Sequence, residues 1–314
     1  MIIAYIKQER MKNILWDKIR KLEVNLFNNN YIINLFEFND KTIIKLVKII
    51  KRYKIDSIVF SKDIDKEFSN QVMNRLVDEG MIIDNLKGKK LMEYMGLEII
   101  EYILKIQETE INREEIYFLL KKEEIESIID TDYLVNYIKG FRLVNLVSND
   151  IRQLKKIQDK ILEKDNILIS ISNNKKKALK RAKYIININL NKKELEKYTI
   201  NRYAIIINLR EIVKYDEPSF EGININNIEI IVPEEYTEVH EQIGIEFNIS
   251  SIYESILFSM TNKINNTNNY KNIHDKIEKD GIRIKYLIGN NGIITDQELQ
   301  KIHNINLDKK RKLV

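Results

Sequence analysis

Lys62 and Asp63 stand side by side immediately after the apolar run Ser57–Phe60. A lysine and a carboxylate at a strand end are residue types that can pass a proton between them. Neighbours on a strand end point in different directions, however. Two readings therefore stay open: an acid–base pair, or chance neighbours in a chain rich in both types. Three histidines are present, His240, His274 and His303. The last two are too far apart along the chain for a local ligand pair. In Glu234-Glu-Tyr-Thr-Glu-Val-His-Glu241, Glu238 and His240 would face the same way if extended. Zinc sites take three or four ligands, and the other reading is an acidic loop in water, so no metal is expected. With 0 Cys, disulfides and thiolate chemistry are excluded. Neither H-E-x-x-H, nor a phosphate loop, nor G-x-S-x-G occurs.

The elements that must position these residues follow from hydrophobic periodicity. Met1–Ile6, Tyr31–Phe38, Ser57–Phe60 and Met81–Ile83 read as strands. Between them Ile43, Leu46, Val47, Ile50 and Tyr53 share one helical face, as do Phe68, Val72 and Leu76. A long helix is expected from Gly88 onward. After the polar seam Glu108–Arg113 the alternation restarts, with strands at 116–120, 143–147, 167–171, 184–188, 203–208 and 228–232. Helices should fill 124–139, 150–163, 175–183 and 192–198, and another is expected around Ser251–Asn262. Alternation of this kind implies parallel strands joined by crossover helices.

The Asn-rich stretch 262–272 reads as a linker. Ile282–Ile288, an Asn290-Asn291-Gly292 turn and a helix with a Thr295/Glu298 capping box follow it. The fold expected is α/β: two doubly wound, mainly parallel-sheet domains, plus a small C-terminal module. The boundaries expected are 1–110, 111–262 and 263–314.

In open α/β sheets, ligands lie beyond the carboxyl ends of the strands. That rule nominates Lys7, Glu9, Arg10, Ser61, Lys62 and Asp63 in the first domain. In the second it nominates Asn149, Asp150, Asn173, Asn174, Asn189 and Arg210.

Lys177–Asn189 (KALKRAKYIININ) runs from a short helix through a small residue into an apolar strand, and Arg202–Leu209 (RYAIIINL) supplies the next strand. In this order residues 114–232 resemble the dinucleotide-binding half of the shikimate and amino-acid dehydrogenases. The resemblance implies a Rossmann-like second domain, NAD(P) as cofactor and hydride transfer on a small polar acid. It also implies Lys62 and Asp63 as the acid–base pair, although that family draws the two from separated motifs. Where G-x-G-x-x-G should follow the first strand, the segment reads Lys121-Lys-Glu-Glu-Ile-Glu126, without glycine. Bulky side chains would fill the approach, and Glu123, Glu124 and Glu126 would repel a phosphate. Asp150 stands where the ribose would be read; its other reading is a helix N-cap.

Charge completes the picture. The 52 Lys+Arg and 47 Asp+Glu leave a net +5 over 314 residues, with both signs interleaved as on solvated helix faces. That is a surplus without clustering, so nucleic-acid binding is not favoured; the basic end Asp308–Val314 is the one place for it. No stretch approaches a membrane span, and a cytoplasmic location is expected. The leading expectation is a degenerate Rossmann-like protein with a non-catalytic binding or regulatory role and no cofactor, working through a protein partner or a second copy. The alternatives are an NAD(P)-dependent dehydrogenase and nucleic-acid binding through the C-terminal module.

Overall fold

Residues 1–11, 14–121, 140–165, 168–260 and 270–311 are described by the computed structural model. The expected helix at 124–139, nearly all of Lys121–Glu126 and most of the 262–272 stretch lie outside them. Contacts divide the chain into two compact units, Met1–Gly88 with Val232–Ile264 and Lys89–Ile231 with Asn265–Val314. Neither unit is one continuous segment, so they cut the chain differently from boundaries at 110 and 262. The C-terminal residues join the second unit rather than standing as a module.

In the first unit, Ile3–Gln8 (β1) has its first four residues buried, as a strand covered on both faces requires. Helix Ile14–Arg20 (α1) leads to a hairpin of Leu22–Phe27 (β2) and Asn30–Leu35 (β3). Its two-residue turn places Asn28 at φ 44° and Asn29 at φ 64°. This left-handed pair matches the twist of the flanking strands, and asparagine tolerates it. Pattern reading passes over β2 because only Leu22 of its six residues is buried, so no alternation marks it.

Helix Asp40–Arg52 (α2) starts where the Asn39 side chain accepts from Thr42 N–H at 3.0 Å. It buries Ile43, Leu46, Val47 and Ile50, each contributing roughly 1.5–3 kcal/mol. Ser57–Phe60 (β4), Lys66–Asp78 (α3) and Asp84–Asn85 (β5) complete this stretch. The sheet order is β2-β3-β1-β4-β5, with every pair parallel except β2 with β3.

The second unit begins with Lys89–Tyr94 (α4) and Gly96–Ile106 (α5), two helices where one was expected. After a 3-10 turn at Ile111–Arg113 come Glu115–Leu120 (β6), Leu143–Ser148 (β7), Ile151–Asp165 (α6) and Ser170–Ser172 (β8). Tyr184–Asn187 (β9), Lys192–Leu195 (α7), Ile205–Asn208 (β10), Ile223–Ile225 (β11) and Asn227–Ile231 (β12) follow. All residues of β9 and β10 are buried. The six parallel strands run β11-β10-β9-β6-β7-β8; numbered from β6, that is the order 3-2-1-4-5-6.

Further details differ from the sequence reading. Met81–Ile83 is not a strand, Ile82 being exposed, and the strand there is Asp84–Asn85. The sixth strand is β11, whereas 228–232 falls in β12 of a separate antiparallel sheet. Residues 175–183 form successive turns, with bonds such as Lys180 N–H to Lys177 O at 3.3 Å and Ala182 N–H to Leu179 O at 3.2 Å. Only Leu179 and Ala182 of that stretch are buried, too little apolar surface to hold a helix.

The chain then returns to the first unit as Glu234–Ile243 (α8) and Ile249–Met260 (α9). It ends in the second unit with Tyr270–Lys279 (α10), Arg283–Gly289 (β13), Gly292–Ile294 (β14) and Asp296–Arg311 (α11). β12, β13 and β14 form an antiparallel sheet. The capping box of α11 is formed: Thr295 N–H donates to Glu298 Oε2 at 2.7 Å and Glu298 N–H to Thr295 Oγ1 at 3.2 Å. Among the described residues no helix is long and apolar enough to cross a membrane.

Candidate functional site

In the six-stranded sheet the order reverses between β6 and β9, and the crevice beyond their carboxyl ends is where such sheets hold ligands. Asn189, just past β9, occupies it. Its Oδ1 accepts the backbone N–H of Lys121, the first residue after β6, at 3.3 Å. Lys121 Nζ pairs with Glu194 Oε2 at 3.0 Å. Glu194 is fixed in turn by the capping box of α7, where it accepts from Asn191 N–H at 2.8 Å. Burial pushes the Glu194 carboxyl up, but the hydrogen bonds from Asn191 and Lys121 and the nearby lysine charges outweigh that and hold it below the usual carboxylate range. An ion pair of Glu194 and Lys121 therefore stands at the mouth of the crevice.

Behind it runs a chain of buried amides. Asn187 Nδ2 donates to Leu190 O and to Asn208 Oδ1, both at 2.8 Å. Asn208 Nδ2 donates to Asn226 Oδ1 at 3.0 Å, and Asn226 Nδ2 to Asn290 Oδ1 at 2.6 Å. Lys89 Nζ donates to the carbonyls of Asn208 and Asn226 at 2.6 and 2.7 Å. Arg210, just past β10, makes a two-point bond to Glu93 at 3.0 and 2.7 Å, the geometry that a guanidinium and a carboxylate share.

The ends of β7 and β8 serve turns. Asp150 Oδ1 accepts from Arg152 and Gln153 N–H, both at 3.1 Å, which makes it the cap of α6. Asn174 Oδ1 likewise accepts from Lys176 and Lys177 N–H at 3.1 Å. Asn149 is exposed, with the Tyr198 hydroxyl 3.5 Å from its Oδ1, and Asn173 is exposed. Asp150 and Asn174 thus shape backbone, whereas Asn189 and Arg210 meet partners at the crevice.

In the first unit, Lys7 Nζ lies 2.6 Å from Glu246 Oε1, and Lys62 N–H donates to Glu246 O at 2.9 Å. Ser61 is buried and its hydroxyl donates to Asp63, closing a tight turn. Lys62 and Asp63 are exposed, as is Arg10. The loop carrying Glu246 therefore covers the ends of β1 and β4. For Glu246 too, burial raises the carboxyl while the bond from Lys7, a backbone N–H and the charges of Lys7 and His240 lower it further.

Glu238 and His240 lie on helix α8, where a two-residue spacing turns them to different faces, and His240 Nε2 meets Phe247 O at 3.0 Å. The extended geometry that would have let them share a metal is not adopted. His274, Asp275 and Glu278 on α10 bring their ligand atoms within 4.8 Å of one another. His274 Nε2 is already 2.7 Å from Glu98 Oε1, so this group is built as an ion-pair cluster. At the crevice the first N–H past β6 is thus engaged by Asn189, and the Lys121 ammonium by Glu194.

Sequence reasoning passed over Asn187, Asn208, Asn226, Lys89 and Glu246. The signal for the first two is present: an asparagine closes the apolar runs YIIN and IIIN at matching register positions.

No protein-family model matches the chain, and no curated protein matches it in sequence. Among solved structures, a protein described as an aspartate carbamoyltransferase from Trypanosoma cruzi is 9% identical, with 80% of this chain and 81% of that one covered at a TM-score of 0.26. An ornithine transcarbamoylase from Giardia lamblia is 8% identical, with 83% and 86% covered at a TM-score of 0.28. At these scores the likeness fixes neither fold nor function.

Proposed function

We propose that the protein is a non-catalytic binding or regulatory protein whose second unit is a Rossmann-type sheet with its nucleotide crevice closed by its own side chains. The strand order 3-2-1-4-5-6 supports the Rossmann part of this reading. The observation that carries the rest is the hydrogen bond from Lys121 N–H to Asn189 Oδ1 across the point of reversal, 3.3 Å long. A pyrophosphate in that crevice would need this N–H and would meet Glu194. The buried amides behind the crevice bond to one another and to backbone, which makes a rigid wall in place of a ligand-facing one. Such a protein would work in the cytoplasm through its surface, on another protein or a second copy of itself.

Calorimetric titration of the full chain with NAD, NADH, NADP, NADPH, ATP and S-adenosylmethionine tests this reading. No binding heat is expected from any of them. A dissociation constant below about 0.1 mM for one, equivalent to more than roughly 5 kcal/mol, would overturn it. A nicotinamide hit would turn attention to the dehydrogenase resemblance, with Lys62→Ala as the first variant to assay for hydride transfer.

A further inference from the structure

The sheet of the first unit ends in β2, and the outer side of that strand is free to pair again. Three observations fix which backbone groups face outward. Phe36 N–H donates to Lys21 O at 3.0 Å. Leu35, the neighbour of Leu22 in β3, instead gives its carbonyl to Glu9 N–H on the β1 side, at 2.9 Å. The two-residue turn after Phe27 closes on the pair Phe27–Asn30. Bonded and non-bonded positions alternate in an antiparallel pair, so Glu23, Asn25 and Phe27 bond to β3. The N–H and C=O groups of Leu22, Val24 and Leu26 therefore point out of the end of the sheet, where no strand follows.

Sheets protect such ends with short strands, lysine, proline or bulges. Among the described residues the other end strands are short or broken. β5 has two residues, and β8, β11 and β14 have three each. β12 carries a register shift after Glu229. β2 has six residues in unbroken register with β3, and it contains neither lysine nor proline. Its Leu26 is 71% exposed, and Glu23 and Asn25 are exposed too, so this end stands open.

We propose that β2 joins two copies of the chain by antiparallel pairing with itself. A second copy is one of the partners in the proposed function, so the dimer rests on the surface-binding half of that reading.

The sequence of the strand selects both partner and register. A two-fold axis at Val24 sets Val24 against the partner's Val24, and Leu22 against the partner's Leu26. All three outward residues then form bonded pairs, with about six hydrogen bonds between the copies. Opposite side chains share a face, so the exposed Leu26 gains an apolar neighbour in the partner's Leu22. On the other face Glu23 meets the partner's Asn25, a carboxylate against an amide that can donate to it. Neighbouring registers are worse. An axis at Glu23 opposes two carboxylates, and like charges directly opposite destabilise a pair. An axis at Asn25 sets Leu22 against the partner's Asn28, a turn residue with positive φ. The strand is thus complementary to itself, as a two-fold interface requires.

Sedimentation of the full chain from about 1 to 300 µM tests this, with a shift from 37.5 kDa toward twice that mass and a dissociation constant below about 0.1 mM expected. Hydrogen exchange locates the interface: the Val24 and Leu26 amides should exchange at least about tenfold more slowly in the dimer. Leu26→Lys, at an exposed position, should keep the thermal midpoint of the parent and weaken the dimer at least about tenfold. Asn25→Glu, which opposes carboxylates in this register, should weaken it by about twofold or more, and Asn25→Lys should tighten it at low salt. A monomer at the highest concentration would leave the strand to some other chain and overturn the proposal. A dimer unaffected by Leu26→Lys, or one whose Val24 amide exchanges at the monomer rate, would overturn it as well. None of these results touches the closed crevice, whose failure would appear as nucleotide binding in the titration above.

Discussion

Asn187 and Asn208 face each other at the same register position of β9 and β10, and the amide of the first donates to the carbonyl oxygen of the second at 2.8 Å. Both side chains are fully buried, at 0% exposure. Two amides in that setting are tolerable only if their partners are complete, because an unmatched buried group retains its full desolvation cost. The chain through Asn226 to Asn290 completes them and links the parallel sheet to the antiparallel one.

Asn208→Ala should therefore leave Asn187 Nδ2 and Asn226 Oδ1 each one partner short. Because Asn187 Nδ2 keeps Leu190 O and Asn226 Oδ1 keeps Val213 N–H, the expected loss is about 0.5–1.5 kcal/mol per hydrogen bond removed, read as a lower urea midpoint at unchanged slope. Asn173→Ala, at an exposed turn, should stay within about 0.5 kcal/mol of the parent.

Much of the fold was legible because burial leaves a pattern. The apolar runs at 57–60, 184–187 and 205–208 are buried through nearly all their length and read as strands. The edge strand β2 was hidden, since Leu22 alone of its residues is buried and alternation has nothing to report. Strand order and the unit to which α8 and α9 belong are long-range properties, which no local window contains. At the candidate site, Arg210 and Asn189 could be nominated because the carboxyl-end rule is geometric. Their partners Glu93 and Lys121 were invisible as partners, because neither an ion pair nor a hydrogen bond across sequence distance has a local signature. Asp150 was open to two readings and proved to be the cap of α6.

Two histidines should pull stability in opposite directions with pH. The bond to Glu98, against burial and with the surrounding carboxylates, raises the His274 pKa above 6.5. Its contribution is full below the unfolded value and fades as pH rises through the folded one. For His303, burial and Lys183 lower the pKa, so its contribution is full above 6.5 and fades as pH falls toward the folded value. Denaturation midpoints between pH 5 and 8 for His274→Gln and His303→Gln, each set against the parent, should show these opposite slopes.

Glu246 provides an acid-side prediction. Its folded carboxyl sits below the ordinary glutamate value, so it stabilises the first unit above that value and ceases to as pH falls through the folded one. Lys7→Met removes the ion pair at 2.6 Å and should move the acid-unfolding midpoint to higher pH. Adding salt should shrink that difference only slightly, because both side chains are partly buried.

The closed crevice is tested most directly by hydrogen exchange at a single amide. Lys121 N–H, bonded to Asn189 Oδ1 in the folded chain, should exchange at least about tenfold more slowly than in the Asn189→Ala variant, which corresponds to one hydrogen bond of about 1.4 kcal/mol. Equal exchange of that amide in the two proteins, at the rate of an open chain, would contradict the account.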